Sequence, residues 1–399
     1  MIVRRFLLWA RSAPAAHRAE ATASLVHAYL YADLNAVDRD EAETALTAML
    51  DDPSPMVRRA LSEGLAAAPD VPHHVILTLA ADGSDVAEPV LANSPLLLDS
   101  DLVDAAALGD GRAQAAIASR PYLSLPVAGA LAEIASPDAL AVLAANPTAE
   151  IGEASLFRIV ERHGNDGPLR EALLARDDLP VAVRQAVSVA LARSLGDFVT
   201  ACGWLSAQRS ERVGRESCER AAVVLSAGSD SEETVRLVAH LRETSQLTPG
   251  LMLRALLSGQ GDFVEAAFAD LSGLPAARVR GILRDASGSG FAALYGRAGL
   301  PVSLRAAFGA GLVALSERGT EHGPEMARLS RHHVRRTLRA CSDLPANEAS
   351  RLVALLRRFE AEAARDDARQ HADALADEAA LEIVRRYAPQ ELEGEVVAA

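Results

Sequence analysis

Four prolines, Pro69, Pro95, Pro121 and Pro147, recur every 26 residues, each three residues after an aliphatic–alanine pair. The motifs read LAAAP, LANSP, IASRP and LAANP. A fixed period of this size marks an array of small units that stack on their neighbours. Other positions keep the same register. Leu65, Leu91, Ile117 and Leu143 align, as do Ala66, Ala92, Ala118 and Ala144. Ile76, Leu102, Ala128 and Ala154 align, and so do Leu79, Ala105, Leu131 and Phe157.

Each unit carries two apolar pieces, one after the proline and one before the next. Both are too short to be stable as isolated helices, so they must bury their faces against neighbouring units. A proline cannot continue the preceding helix, and it biases the residue before it away from α. Pro69, Pro95, Pro121 and Pro147 are therefore read as structural corners between helices. The alanines allow close approach of adjacent units. Asn93 and Asn146 lie at these corners, where a carboxamide bonds exposed backbone.

Half of the 399 residues are hydrophobic, yet only 4% are aromatic. Alanine and leucine dominate, and alternating β-branched runs are almost absent, which predicts an all-α chain. An ordinary leucine-rich repeat needs an L-x-L strand in each unit, and the aligned segments lack it. The units resemble the leucine-rich repeat variant, which implies an α-helix alternating with a shorter helix, α or 3₁₀. They also resemble short HEAT units. In DDPSPMVRRALSEGLA (51–66), Ser54 is placed as N-cap, Pro55 at the first helical position, Val57 and Leu61 inward, Arg58 and Arg59 outward. The expected fold is a right-handed α-solenoid of short helix pairs, HEAT-like or leucine-rich-repeat-variant-like, followed by a second helical block.

The 26-residue register stops after Pro147. Residues 162–195 carry one more helix pair, with a loop at His163–Pro168, and 202–214 reads as an irregular connector. In the next block LTPGLMLRALLSG places Thr248 as N-cap, Pro249 at N1 and Gly259 as a stop. Four short helices follow, split at Gly273–Pro275, Ser287–Gly290 and Gly299–Pro301. Asn347 to Tyr387 reads as one long or two shorter amphipathic helices, ended by Pro389, with a disordered tail. The expected divisions are 1–50, 51–200, 201–320 and 321–399.

DDPSPMVRRALSEGLAAAP, LAADGSDVAEPVLANSPLL, AIASRPYLSLPVAGALAE and VLAANPTAEI, with GDFVEAAFADLSGLPAARVRGILRD and ALYGRAGLP, carry a further resemblance. The chain is similar to an uncharacterised bacterial family of helical-repeat proteins, a domain of unknown function. The resemblance covers most of 40–310. It implies the fold and a bacterial origin, and it brings no chemistry with it.

The net charge is −14, and all 40 cationic residues are arginine. An acidic balance disfavours nucleic acid as a general partner, because phosphate neutralisation needs a basic face. Cys202, Cys218 and Cys341 form no CxxC pair and no even framework, which fits a reducing compartment. Phe6–Ala10 is too short for a signal-peptide core and no apolar stretch spans a bilayer, so a cytoplasmic location without a transmembrane segment is expected.

The sharpest local anomaly is ARLSRHHVRRTLRAC at 327–341. Arg328, Arg331, Arg335 and Arg339 step by 3, 4 and 4 and so share a helical face. His332 and Arg336 widen it, beside a buried strip of Val334, Leu338 and Cys341. These six basic residues are the partner-binding candidates, for an acidic protein, a phosphate-bearing ligand or an anionic surface. The competing reading pairs them with Glu360, Glu362, Asp366 and Asp367.

Neither His332–His333 nor His73–His74 is placed to chelate, because adjacent helical residues point about 100° apart. No metal and no cofactor is expected. DASGSGFAAL has no preceding strand and no lysine for a phosphate loop, so it reads as a turn. Cys202 and Cys218 lie near Trp204 without a histidine to activate them. No catalytic set emerges. The expected function is a non-enzymatic protein-interaction scaffold or signalling regulator whose partner is another protein. The alternative is a nucleic-acid-binding HEAT-like protein, which would line its groove with basic and aromatic residues. Trp9 and Trp204, the two tryptophans, lie outside the regular repeats.

Overall fold

Why the prolines stand where they do is visible in the computed structural model, which describes residues 2–317, 328–341 and 346–387. Among these, 22 α-helices and one 3₁₀ turn are present, with no strand. The chain divides into two compact units, Met1–Trp204 and Leu205–Ala399.

The first unit opens with α1 (Ile2–Ala10), α2 (Ala15–Tyr31) and α3 (Ala36–Leu50). Four helix pairs follow: α4 (Pro55–Leu65) with α5 (His73–Ala80), α6 (Ser84–Asn93) with α7 (Asp99–Leu108), α8 (Gly111–Ala118) with α9 (Leu125–Ile134), and α10 (Pro137–Ala145) with α11 (Glu153–His163). A last pair is α12 (Gly167–Leu174) and α13 (Val181–Ala201). Helices α2, α4, α6, α8, α10 and α12 pack in succession as one row, while α7, α9, α11 and α13 form a second. This is a solenoid of helix pairs.

Pro69, Pro95, Pro121 and Pro147 all sit, exposed, in the loop joining the two helices of a pair. The motif's aliphatic residue is buried each time: Leu65, Leu91, Ile117 and Leu143. So is the residue two past each proline: Val71, Leu97, Leu123 and Ala149. The loop is thus pinned on both sides by apolar burial, about 1.5–3 kcal/mol for each large aliphatic side chain. The proline between them faces water and only has to stop the helix.

Two details differ from the sequence reading of 51–66. Val57 and Leu61 are buried as expected. Ser54 occupies the N-cap position without a side-chain cap bond. Instead, Asp52 accepts from the Ser54 amide at 2.8 Å. Arg58 does not point freely outward. It bonds Asp82 on the neighbouring pair through Nε and Nη2, at 2.5 and 3.1 Å, and the Asp52 carbonyl at 2.6 Å.

The second unit comprises α14 (Ala207–Ala227), α15 (Ser231–Glu243), α16 (Pro249–Leu257), α17 (Gly261–Ser272), α18 (Ala276–Leu283), α19 (Ser289–Arg297), α20 (Arg305–Glu317), α21 (Arg331–Ala340) and α22 (Ala346–Tyr387). The connector placed at 202–214 is therefore mostly helix, and only a short link precedes α14. The N-cap of α16 is as expected: Thr248 Oγ1 accepts from the Leu251 amide at 3.0 Å. Gly259 follows with φ +84°, a left-handed conformation that glycine adopts without strain.

Helix α16 is the axis of this unit, with every residue from Leu251 to Leu257 buried. Much of the chain's scarce aromatic content gathers beside it. Phe268 contacts Phe291, Tyr295 and Phe308 with centroids 6.0–6.3 Å apart. Helix α22 packs through Leu352, Leu356, Phe359 and Ala363, spaced along one stripe. From Asp367 to Glu382 every residue of α22 is exposed. The tail after Tyr387 lies outside the described residues.

Candidate functional site

The arginine stripe is real as a helix face, with one member outside it. Ser330 caps α21 by accepting from the His333 amide. Arg331, His332, Arg335 and Arg339 are exposed and Arg336 is half-buried. Arg328 is exposed but precedes the helix, so the continuous face begins at Arg331. Val334 and Cys341 are buried as expected, Leu338 only partly. His333, 2% exposed, and Thr337 join the buried side. The sequence hid them because a histidine and a threonine read as polar.

Arg335 Nε bonds Glu360 Oε1 on α22 at 2.8 Å. Both side chains are substantially exposed, so the pair contributes at most about 1 kcal/mol. Two of the other acidic candidates go elsewhere: Asp366 pairs with Arg369 in its own helix, and Glu362 with Arg254 and Arg220.

That last contact is the charged centre of the unit. Arg254 interrupts the apolar run of α16 and is 3% exposed. Its two terminal nitrogens meet the two oxygens of Glu362 at 2.7 and 3.1 Å. Its guanidinium carbon stands 4.7 Å from the Phe359 ring centroid. A Glu219 oxygen, from α14, stands 3.9 Å from Nε. Burial pushes the Glu219 carboxyl up, while Arg254 and a bond from Thr248 Oγ1 pull it down. A cavity of about 300 Å³ opens beside this cluster between α14, α16 and α22. Arg220, Arg369, Asp366 and Asp373 line it, so both signs of charge are present and no ligand class is selected.

In the solenoid unit the corners are tied by side chains. Asn146 donates through Nδ2 to the Ala118 and Arg120 carbonyls of the preceding corner, at 2.9 and 2.7 Å. Arg120 reaches back in the same way to Leu91 and Ser94, at 2.6 and 2.7 Å. Arg176 does so to Ala144, Asn146 and Ala149. Asn93 is different. It is the last residue of α6, one position out of register with Asn146, and its Nδ2 bonds Pro89 within the same helix at 3.0 Å.

These ties display an aromatic residue. Thr148 Oγ1 donates to Asn146 Oδ1 at 2.8 Å and accepts from the Tyr122 amide at 3.2 Å. Tyr122 is thereby held at φ +57°, a region costly for a tyrosine, and is 85% exposed. Leu98 and Leu125 are exposed at adjacent corners, drawn together by the Ser124 hydroxyl on Asp99 at 2.7 Å.

His73 and His74 diverge: His74 contacts Thr47, and His73 stands 3.9 Å from Asp101. Among the described residues no group of three or more His, Cys, Asp or Glu is placed to hold a metal. No helix among them is long and apolar enough to cross a membrane. The three cysteines are free thiols: Cys202 exposed, Cys218 half-buried and Cys341 buried.

A family described as an uncharacterised protein conserved in bacteria (DUF2336) matches residues 86–344. The chain belongs to this family. The DUF2336 match starts in α6 rather than near residue 40 and continues past 310 to include α21. It leaves out α1–α5 and α22. No curated protein and no solved structure matches the chain.

Proposed function

We propose that this DUF2336 protein is a non-enzymatic protein-interaction scaffold or signalling regulator that works from its helical-repeat surface in the cytoplasm. The observation that carries the reading is the corner edge of the solenoid. Tyr122 is presented to solvent by a strained backbone that Asn146 and Thr148 hold in place. A strained residue persists only where its surroundings impose it, and such residues concentrate at binding surfaces. Tyrosine offers a large contact area for little conformational entropy, and it is enriched where proteins meet. Leu98 and Leu125 extend the apolar edge, and a stack of repeats supplies a rigid frame for it.

Crosslinking mass spectrometry of the native complex, compared between wild type and a Tyr122→Ala/Leu125→Ser double variant, tests this. Both side chains are exposed, so the melting midpoint should hold while crosslinks to a partner at this edge disappear. Unchanged crosslinks in a stable double variant would sink the proposal.

A further inference from the structure

At three successive corners the carbonyl of the residue before the proline accepts a side-chain bond from the next corner. Arg120 reaches the Ser94 carbonyl at 2.7 Å, Asn146 that of Arg120 at 2.7 Å, and Arg176 that of Asn146 at 2.9 Å. At the first corner the same carbonyl belongs to Ala68. The register position that should send the donor is Ser94. A serine is too short to do so, and Ser94 Oγ instead accepts from the Leu96 amide at 3.3 Å. Among the described residues no side chain donates to the carbonyls of Ala66 or Ala68. Where the later corners are filled by a guanidinium or a carboxamide, the first corner borders a groove of about 590 Å³. Ala66, Ala68, Asp70, Glu63, Tyr31 and Asn93 contribute to its walls.

We propose that this groove takes an arginine side chain from a partner polypeptide. The chain itself supplies the precedent, because Arg120 and Arg176 already sit on corner backbone through two and three carbonyls. A planar guanidinium presents five donors in a fixed fork, which matches converging carbonyls as an ammonium does not. Charge agrees: Asp70 and Glu63 line the groove, Glu63 also holding Arg59 of its own helix at 2.7 Å, and the one cation of the lining, Arg39, lies over the Tyr29 ring, 5.1 Å from its centroid. Tyr31 is exposed and offers a ring on which a guanidinium can stack. The space exceeds a single side chain, so the residues flanking the arginine also fit. The proposal rests on the scaffold reading and names the chemistry of its partner.

Saturation-transfer NMR on the full chain tests it, with acetyl-Gly-Arg-Gly-amide and acetyl-Gly-Lys-Gly-amide as probes. Two variants are compared with wild type. Ser94→Arg supplies the missing donor from within the chain. Ala67→Trp fills the groove from its exposed rim and decides the matter if Ser94→Arg does not fold. The arginine peptide should give a signal several-fold above the lysine peptide, and both folded variants should abolish it. Equal signals from the two peptides, or a signal that survives Ala67→Trp, overturns the proposal. Free arginine matching the tripeptide would assign the groove to a small molecule and overturn the polypeptide reading. Failure here with Tyr122-dependent crosslinks intact would remove the groove and leave the scaffold standing.

Discussion

Arg254 and Glu362 meet through two parallel hydrogen bonds, 108 residues apart in sequence, with the arginine almost wholly out of water. Replacing such a pair by apolar residues is often tolerated, but removing one partner strands the other charge. Glu362→Ala should therefore cost about 3–5 kcal/mol in chemical denaturation, and the Arg254→Met/Glu362→Leu double variant, which removes both charges of the pair, should cost less. A Glu362→Ala midpoint equal to that of wild type would show that water reaches Arg254.

The two asparagines separate on stability. Asn146→Ala removes two bonds that span neighbouring corners, an expected loss of about 1–3 kcal/mol. Asn93→Ala removes one exposed bond within a helix and should stay within about 0.5 kcal/mol of wild type. Urea titration of both variants compares them, and similar losses would mean the corners are not tied as described.

Acid should loosen the solenoid unit through Asp52 and Asp82. Bonds from Arg18 and Arg58 respectively hold these carboxyls below the ordinary aspartate value of 3.8. A carboxyl depressed in the folded state contributes stability above its unfolded value, and loses it as pH falls through the folded one. Wild type should thus lose more stability between neutral pH and pH 3 than the Asp52→Asn/Asp82→Asn double variant. Parallel melting profiles across that range would refute the assignment.

Arg335→Ala breaks an exposed ion pair with Glu360. The change in stability should be below about 1 kcal/mol and should shrink further in salt. A larger, salt-insensitive loss, read by differential scanning calorimetry, would make this pair a structural clamp.

Much of the architecture was legible because proline acts locally. Pro69 to Pro147 mark helix ends through their own ring geometry, and the apolar register around them needs no distant partner. The same holds for Thr248 and Gly259. What escaped depends on contacts far away in sequence. Helix α14 read as a connector because its first half is polar, with little beyond Ser210 buried before Ala222. Arg254 stands within an apolar run, and its partners Glu219 and Glu362 are not its sequence neighbours. Asn93 and Asn146 both adjoin a corner, and one residue of offset turns the Asn93 side chain to its own helix. The arginine stripe was visible, but the division of the acidic residues among Arg335, Arg254 and Arg369 was not.

The side-chain donors that reach corner carbonyls all point one way. Arg120 serves the corner before it, Asn146 serves that of Arg120, and Arg176 serves that of Asn146. The array consequently has a head and a tail. Trimming a pair from the tail takes away a donor and leaves carbonyls orphaned, whereas trimming from the head takes away acceptors and leaves a guanidinium or carboxamide orphaned. Growth obeys the same asymmetry. A duplication of one whole 26-residue period between Arg120 and Asn146 brings a donor and an acceptor together and keeps every bond matched. An insertion keeps the sequence of handshakes only if it brings both a donor and an acceptor, as the 26-residue steps to Arg120 and Asn146 and the 30-residue step to Arg176 do.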